Sequence, residues 1–137
     1  MGSAVSRPTE SELQILAVLW QRGPSTVREV YDQLGWKTGY TTVLKFMQIM
    51  TAKGQVLRDK RGKSHIYRPA IPQERMQKTL LGDLVHKAFG GSLRKLMVAA
   101  LTAEQTSTED LAEIRRLIDE LNARDVTESH NKKGDKP

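Results

Sequence analysis

The sequence predicts a mainly α-helical protein with a small β-hairpin, and three observations carry that prediction. Val43, Met47 and Met50 stand at spacings of four and three, the mark of one buried helix face, and Gly54 offers a left-handed stop. Directly after it, Val56-Leu57-Arg58-Asp59-Lys60-Arg61 and Ser64-His65-Ile66-Tyr67-Arg68-Pro69 read as two strands hinged at a basic turn around Gly62. From Pro72 onward the pattern becomes continuous amphipathic helix, broken at Gly90-Gly91. A helix followed by a basic hairpin is the wing half of a winged helix-turn-helix. The chain therefore divides into a winged helix-turn-helix DNA-binding domain over residues 8–70 and a three-helix dimerisation domain over residues 71–122. Residues 1–7 and 123–137 are expected to be disordered, although Arg7 is placed to reach a phosphate.

Taken in order, Thr9-Glu10-Ser11-Glu12 fits a capping box with Pro8 as its boundary. Leu13, Leu16, Ala17 and Trp20 then form one stripe, flanked by Ile15 and Leu19. Gly23-Pro24 stops this core helix. Ser25 or Thr26 caps a second helix from Val27 to Leu34, with Val30 and Leu34 inward, Arg28 and Glu29 in water, and Gly35 as its close. Residues 36–39 lead to the central helix, where Tyr40, Thr41 and Thr42 offer a capped start. Pro69 ends the second strand because it has no N–H for a ladder.

In the second half, Met76, Leu80, Leu81, Leu84, Val85, Ala88 and Phe89 make one stripe. Ser92 caps a segment holding Leu93, Leu96, Met97, Ala100 and Leu101, and Ser107 or Thr108 caps a third with Glu109-Asp110 in its first turn. There Leu111, Ile114, Ile118 and Leu121 recur as a coiled-coil-like seam with Leu117 beside them. Short helices in so small a chain cover such faces poorly. A homodimer interface is therefore expected at Leu84, Val85, Phe89, Leu93, Met97, Ile114, Leu117, Ile118 and Leu121, with packing inside one chain the alternative for the Leu111 to Leu121 stripe.

The outer face of the central helix carries Thr41, Lys45, Gln48 and Ala52, short of carboxylates and supplied with the groups that read base edges in a major groove. From Trp36 to Arg68 there are eight basic residues (Lys37, Lys45, Lys53, Arg58, Lys60, Arg61, Lys63, Arg68) against Asp59 alone, a net of +7. The whole chain is +6, so the remainder sums to −1. Positive charge this localised is the footprint of phosphate binding. Thr41 and Ala52 suit a thymine methyl, Gln48 an adenine, and Lys45 a guanine or a phosphate. Tyr40 and Thr42 sit where a phosphate meets a helix start, with Lys37 nearby. Arg61 and Lys63 at the wing tip suit phosphate or the minor groove. Ser25, Thr26 and Arg28 suit a clamp on the backbone, though capping alone explains the first two equally well.

Other chemistries lack their residues. The chain has no cysteine, hence no disulfide, thiolate metal site or thiol nucleophile. His65, His86 and His130 have no ligand spacing, and no serine or carboxylate stands in a nucleophile or acid/base constellation, so neither metal, cofactor nor enzymatic activity is expected. No apolar run suits a spanning helix or signal peptide, which makes the cytoplasm the default compartment.

Tyr40-Thr41-Thr42-Val43, Lys53-Gly54 and His65-Ile66-Tyr67-Arg68-Pro69, with Leu19-Trp20, Gly23-Pro24-Ser25-Thr26-Val27-Arg28-Glu29-Val30 and Phe89-Gly90-Gly91-Ser92-Leu93, resemble the BlaI/MecI family of bacterial penicillinase and methicillin-resistance repressors. The resemblance covers roughly residues 8 to 121 in order. It implies a cytoplasmic homodimeric repressor on a palindromic operator, relieved when a membrane-bound sensor metalloprotease triggers cleavage in the carboxy-terminal domain. The positions matching the family's Asn-Phe cut are Ala99-Ala100, which lack that motif. The cysteine-rich tail of copper-responsive relatives is absent. Two other functions fit the composition: a winged-helix protein-interaction module, and a non-specific architectural DNA-binding protein.

Overall fold

The computed structural model describes residues 7–134; for Arg61 and residues 126–134 only the backbone is described. Residues up to Asp83 form one compact unit and those from Leu84 a second.

The first unit runs α1 (Glu10–Arg22), α2 (Val27–Leu34), α3 (Tyr40–Ala52), β1 (Val56–Arg61), β2 (Ser64–Pro69) and the opening turns of α4 (Gln73–Ala88). Two capping boxes set the first two helices. Glu12 N–H donates to Thr9 Oγ1 at 3.3 Å while Thr9 N–H donates to Glu12 Oε1 at 3.0 Å; Thr26 and Glu29 repeat the exchange at 3.2 and 2.9 Å. Thr26, not Ser25, is therefore the cap of α2. The start of α3 differs from expectation, because its cap is Gly39, which supplies no side-chain acceptor, rather than Tyr40 or the threonines. Lys53 closes α3 and Gly54 takes φ 78°.

The hairpin pairs Val56 with Pro69 through Arg61 with Ser64, leaving Gly62-Lys63 as a two-residue loop. Gly62 has φ 58° and no described non-glycine residue has positive φ, the pattern of a type II′ turn. A bridge absent from the sequence-based expectation ties this wing to the helices: Ser25 N–H donates to Tyr67 O at 3.0 Å, and Tyr67 N–H to Ser25 O at 2.8 Å. The core joins Ile15, Leu16 and Leu19 of α1, Val27 and Val30 of α2, Val43, Met47 and Met50 of α3, and Val56 and Tyr67 of the hairpin, all buried. Each such side chain contributes about 1.5–3 kcal/mol on leaving water.

A polar knot closes the core between α1 and the end of α3. Lys53 Nζ donates to both oxygens of buried Glu12, at 3.0 and 2.8 Å, and Gln55 Nε2 donates to Oε1 at 3.3 Å. Burial alone pushes the Glu12 carboxyl up. The hydrogen bonds from Lys53, the Thr9 N–H and Gln55, with the lysine's charge, outweigh burial and hold it below the usual carboxylate range.

The expected boundary near residue 70 moves to Asp83. Trp20 Nε1 donates to Ile71 O at 2.9 Å, Met76 is buried, and Asp83 accepts two hydrogen bonds from the Arg7 guanidinium, so the first turns of α4 belong with the winged unit. Arg7 is thereby committed to a carboxylate rather than open to a phosphate.

In the second unit α4 ends at Gly90-Gly91, both at positive φ, with Gly91 N–H closing on Val85 O at 2.9 Å. Then follow α5 (Leu93–Ala103), capped by Ser92, and α6 (Thr108–Gly134), whose opening Ser107 secures through Asp110 N–H. Where disorder is expected from residue 123 on, the structure continues α6 to Gly134, over a run that no glycine or proline interrupts. The disorder expected of residues 1–6 and 135–137 lies outside the described residues. Leu96 is the one buried apolar side chain described from Leu84 onward. Of the residues expected at a dimer seam, Leu84, Leu93, Leu117, Ile118 and Leu121 are exposed, while Val85, Phe89, Met97 and Ile114 are half-buried. Val98, Leu101 and Leu111 add to the uncovered apolar surface.

A depressed carboxyl pKa stabilises the fold above the ordinary value of 4.5, and that stabilisation is lost as pH falls through the folded-state value. Glu12→Gln should lower unfolding free energy at pH 7 by about 1–3 kcal/mol, less than for a fully buried pair because Lys53 is partly solvated. Urea titrations should show the deficit shrinking at pH 3. A deficit equal at both pH values would remove the ion pair from the account.

Candidate nucleic-acid interface

The geometry of α3 follows from which side of it is held. Val43, Met47 and Met50 have no exposure, so Thr41, Lys45, Gln48 and Ala52 emerge on the opposite side, each in solvent. Thr42 is half-buried beside them. Ile49 joins this surface at 42% exposure, a residue the sequence-based reading passed over. Its signal was present, since it stands four residues after Lys45 and outside the 43-47-50 set. Thr41, Thr42, Lys45, Phe46 and Ile49 line a shallow, mostly apolar hollow of about 400 Å³.

A second hollow, about 270 Å³, opens between the start of α2, α3 and the wing, with Thr26, Arg28, Tyr40, Lys63 and His65 in its walls. The Arg28 guanidinium lies 5.2 Å from the Tyr40 ring centroid and 5.8 Å from that of Tyr31, and the two rings meet edge-on at 6.0 Å. Such stacking holds a guanidinium in place while leaving N–H donors for another acceptor. Tyr40 begins α3 next to a cap without a side-chain acceptor, where an anion meets backbone N–H groups and the positive helix end.

Not all eight cations of this segment serve a surface. Lys53 is spent on Glu12, and Arg68 pairs with Asp59 at 3.1 Å on the outside of the wing. Lys37, Lys45, Arg58, Lys60 and Lys63 remain exposed. Lys37 lines a further hollow with Gln14, Trp36 and Thr42. Trp36 itself is packing, edge-on to Phe46 at 5.5 Å and donating to Gln14 Oε1 at 2.7 Å. Of Arg61 only the register against Ser64 is described, so the contact expected of its side chain lies outside the described residues.

Ser25 does not share this surface. It is fully buried, its Oγ donates to Gly23 O at 2.8 Å and its backbone is bonded to Tyr67, so its place is structural. Thr26 is half-buried with its hydroxyl engaged by Glu29, which also accepts from Arg22 at 2.6 Å. The Thr26 N–H, then Arg22, lower the Glu29 carboxyl below its ordinary range.

Among the described residues no three His, Asp or Glu side chains gather as a metal requires, and no helix is long and apolar enough to cross a membrane. Ala99 and Ala100 lie within α5, the first half-buried; Ala100 O accepts from Glu104 N–H at 3.3 Å.

Residues 8–120 match the family described as penicillinase repressor. The "Penicillinase repressor" of Bacillus licheniformis is 20% identical over 114 residues, 82% of this chain and 89% of that protein. The "Transcriptional regulator BlaI" of Mycobacterium tuberculosis is 26% identical over 122 residues, 87% of this chain and 88% of that protein, and matches equally in two strains.

The cap assigned to Thr26 is testable without any ligand. Thr26→Ala should cost about 1 kcal/mol of stability in chemical denaturation, whereas Thr26→Ser should cost a fraction of that. Equal losses would mean that the methyl group, not the hydroxyl, holds the start of α2.

Proposed function

The chain belongs to the penicillinase repressor family, and we infer from that premise that it represses transcription as a homodimer bound to an inverted-repeat DNA operator. The observation that carries this reading is the exposed, acid-poor face of α3, accompanied by the hollow where the Arg28–Tyr40 cluster meets the basic wing. In duplex DNA that face enters the major groove. Lys45 and Gln48 meet base edges, Thr41 and Ala52 meet apolar edges, and Tyr40, Arg28, Lys37 and Lys63 engage phosphates on either side.

Dimerisation supplies the second half-site. The apolar residues exposed along α4, α5 and α6 from Leu84 onward are the surface for a second copy, burying against its equivalents what one chain leaves in water. Two winged units then present their α3 helices to major grooves about 34 Å apart or a multiple of that. Bound this way, the protein occludes the promoter from polymerase.

Relief by a membrane-bound sensor protease at Ala99-Ala100 would require the last turns of α5 to unwind, because both residues are helical. Loss of α5 would detach the seam residues of α6 from the winged unit and leave a monomer with one half-site. Non-specific architectural binding fits less well: a reading face with a single cation is poorly suited to gripping any duplex by charge.

Three outcomes test the reading. With about six phosphates neutralised, the logarithm of operator affinity should fall with the logarithm of salt at a slope near −5; a slope near zero would sink it. Lys45→Ala should weaken operator binding more than binding to scrambled duplex in an electrophoretic shift, and equal losses would assign Lys45 to the backbone. Leu117→Glu with Ile118→Glu should convert a sedimenting dimer to monomer; an unchanged species would move the interface elsewhere.

A further inference from the structure

We propose that Ile49 is a specificity-determining residue that reads the C5 methyl of thymine in the major groove. This rests on the DNA-binding role inferred above. Among the described residues of the first unit, the exposed large apolar side chains are Tyr40, Ile49, Leu57 and Leu81, and of these only Tyr40 and Ile49 belong to α3. Tyr40 is accounted for by its contacts with Tyr31 and Arg28. Ile49 has no such use. It stands at 42% exposure on the flank of the reading face, four residues after Lys45, in the wall of an apolar hollow shared with Phe46 and Thr42.

The occupant follows from chemistry. The surroundings are cationic, with Lys45 beside Ile49 and Lys37 exposed near the start of α3, so a polyanion is favoured over an apolar protein surface. Of the four bases only thymine offers a methyl group to the major groove, and an aliphatic side chain is its natural complement. A β-branched isoleucine in a helix holds essentially one χ1 rotamer, so little side-chain freedom is lost when the contact forms. The hollow that Ile49 and Phe46 share with Thr41, Thr42 and Lys45 is concave and mostly apolar, a seat in which a methyl leaves water on several sides.

The test removes that methyl and nothing else. A duplex enriched from a random pool by the full-length protein is resynthesised with each thymine in turn replaced by uracil, and affinity is measured for wild type, Ile49→Val and Ile49→Ala. Circular dichroism verifies that the variants, altered at an exposed position, keep the fold. Wild type should lose about three- to fivefold at one thymine of each half-site, as expected for one buried methyl; Ile49→Val should keep part of that discrimination and Ile49→Ala should lose it. The inference alone is overturned if the enriched duplex is bound specifically yet tolerates uracil throughout. It is equally overturned if Ile49→Ala retains the full preference, which would assign the methyl to Thr41 or Ala52. If no duplex is enriched, the DNA-binding role fails and this inference with it.

Discussion

Burial of Val43, Met47 and Met50 sets the rotation of α3 about its own axis, and every functional feature of the first unit depends on that rotation. Three side chains at zero exposure leave no freedom to turn the helix by even one residue without moving apolar surface into water and Lys45 into the core. The Glu12–Lys53 pair fastens the same helix at its far end, joining it to the cap of α1 through the carboxylate that also closes the capping box. The bridge between Ser25 and Tyr67 then locks the wing against the start of α2. A rigid presentation results, which is what positioning by phosphates and discrimination by base edges both require.

The second unit obeys a different constraint. A helical segment with one buried apolar residue and eight exposed large ones among those described cannot rest on its own packing. That uncovered apolar surface is what supports the proposed pairing with a second copy of the chain. Coupling follows directly: if folding of α5 and α6 and pairing of chains are one process, whatever opens α5 also separates the half-sites.

Features encoded over short distances were legible. Thr9 with Glu12 and Thr26 with Glu29 declare their helix starts within four residues, Gly62 and Gly90-Gly91 mark turns that need positive φ, and the 43-47-50 spacing names the buried face of α3. Features that depend on contacts distant in sequence were not. Nothing local to Ser25 announces Tyr67 as its partner, so the residue looked equally able to touch DNA. Lys53 counted as surface charge until Glu12, 41 positions away, accepted it. The domain boundary was drawn at the end of the wing, whereas packing of Met76 and the Trp20 bond to Ile71 carry the winged unit into α4. Composition after Asn122 suggested disorder, but a run without glycine or proline sustains α6 to Gly134. Ile49 was legible but passed over: it stands outside the 43-47-50 set, and its 42% exposure separates it from buried Met50.

The central claim is that the outer face of α3, doubled by pairing of two chains, recognises DNA sequence. Selection from a random duplex pool by the intact protein at physiological salt tests it most directly. The account predicts enrichment of an inverted repeat whose half-site centres lie about one or more whole helical turns apart. Enrichment of an unrepeated motif, or of none, would contradict it.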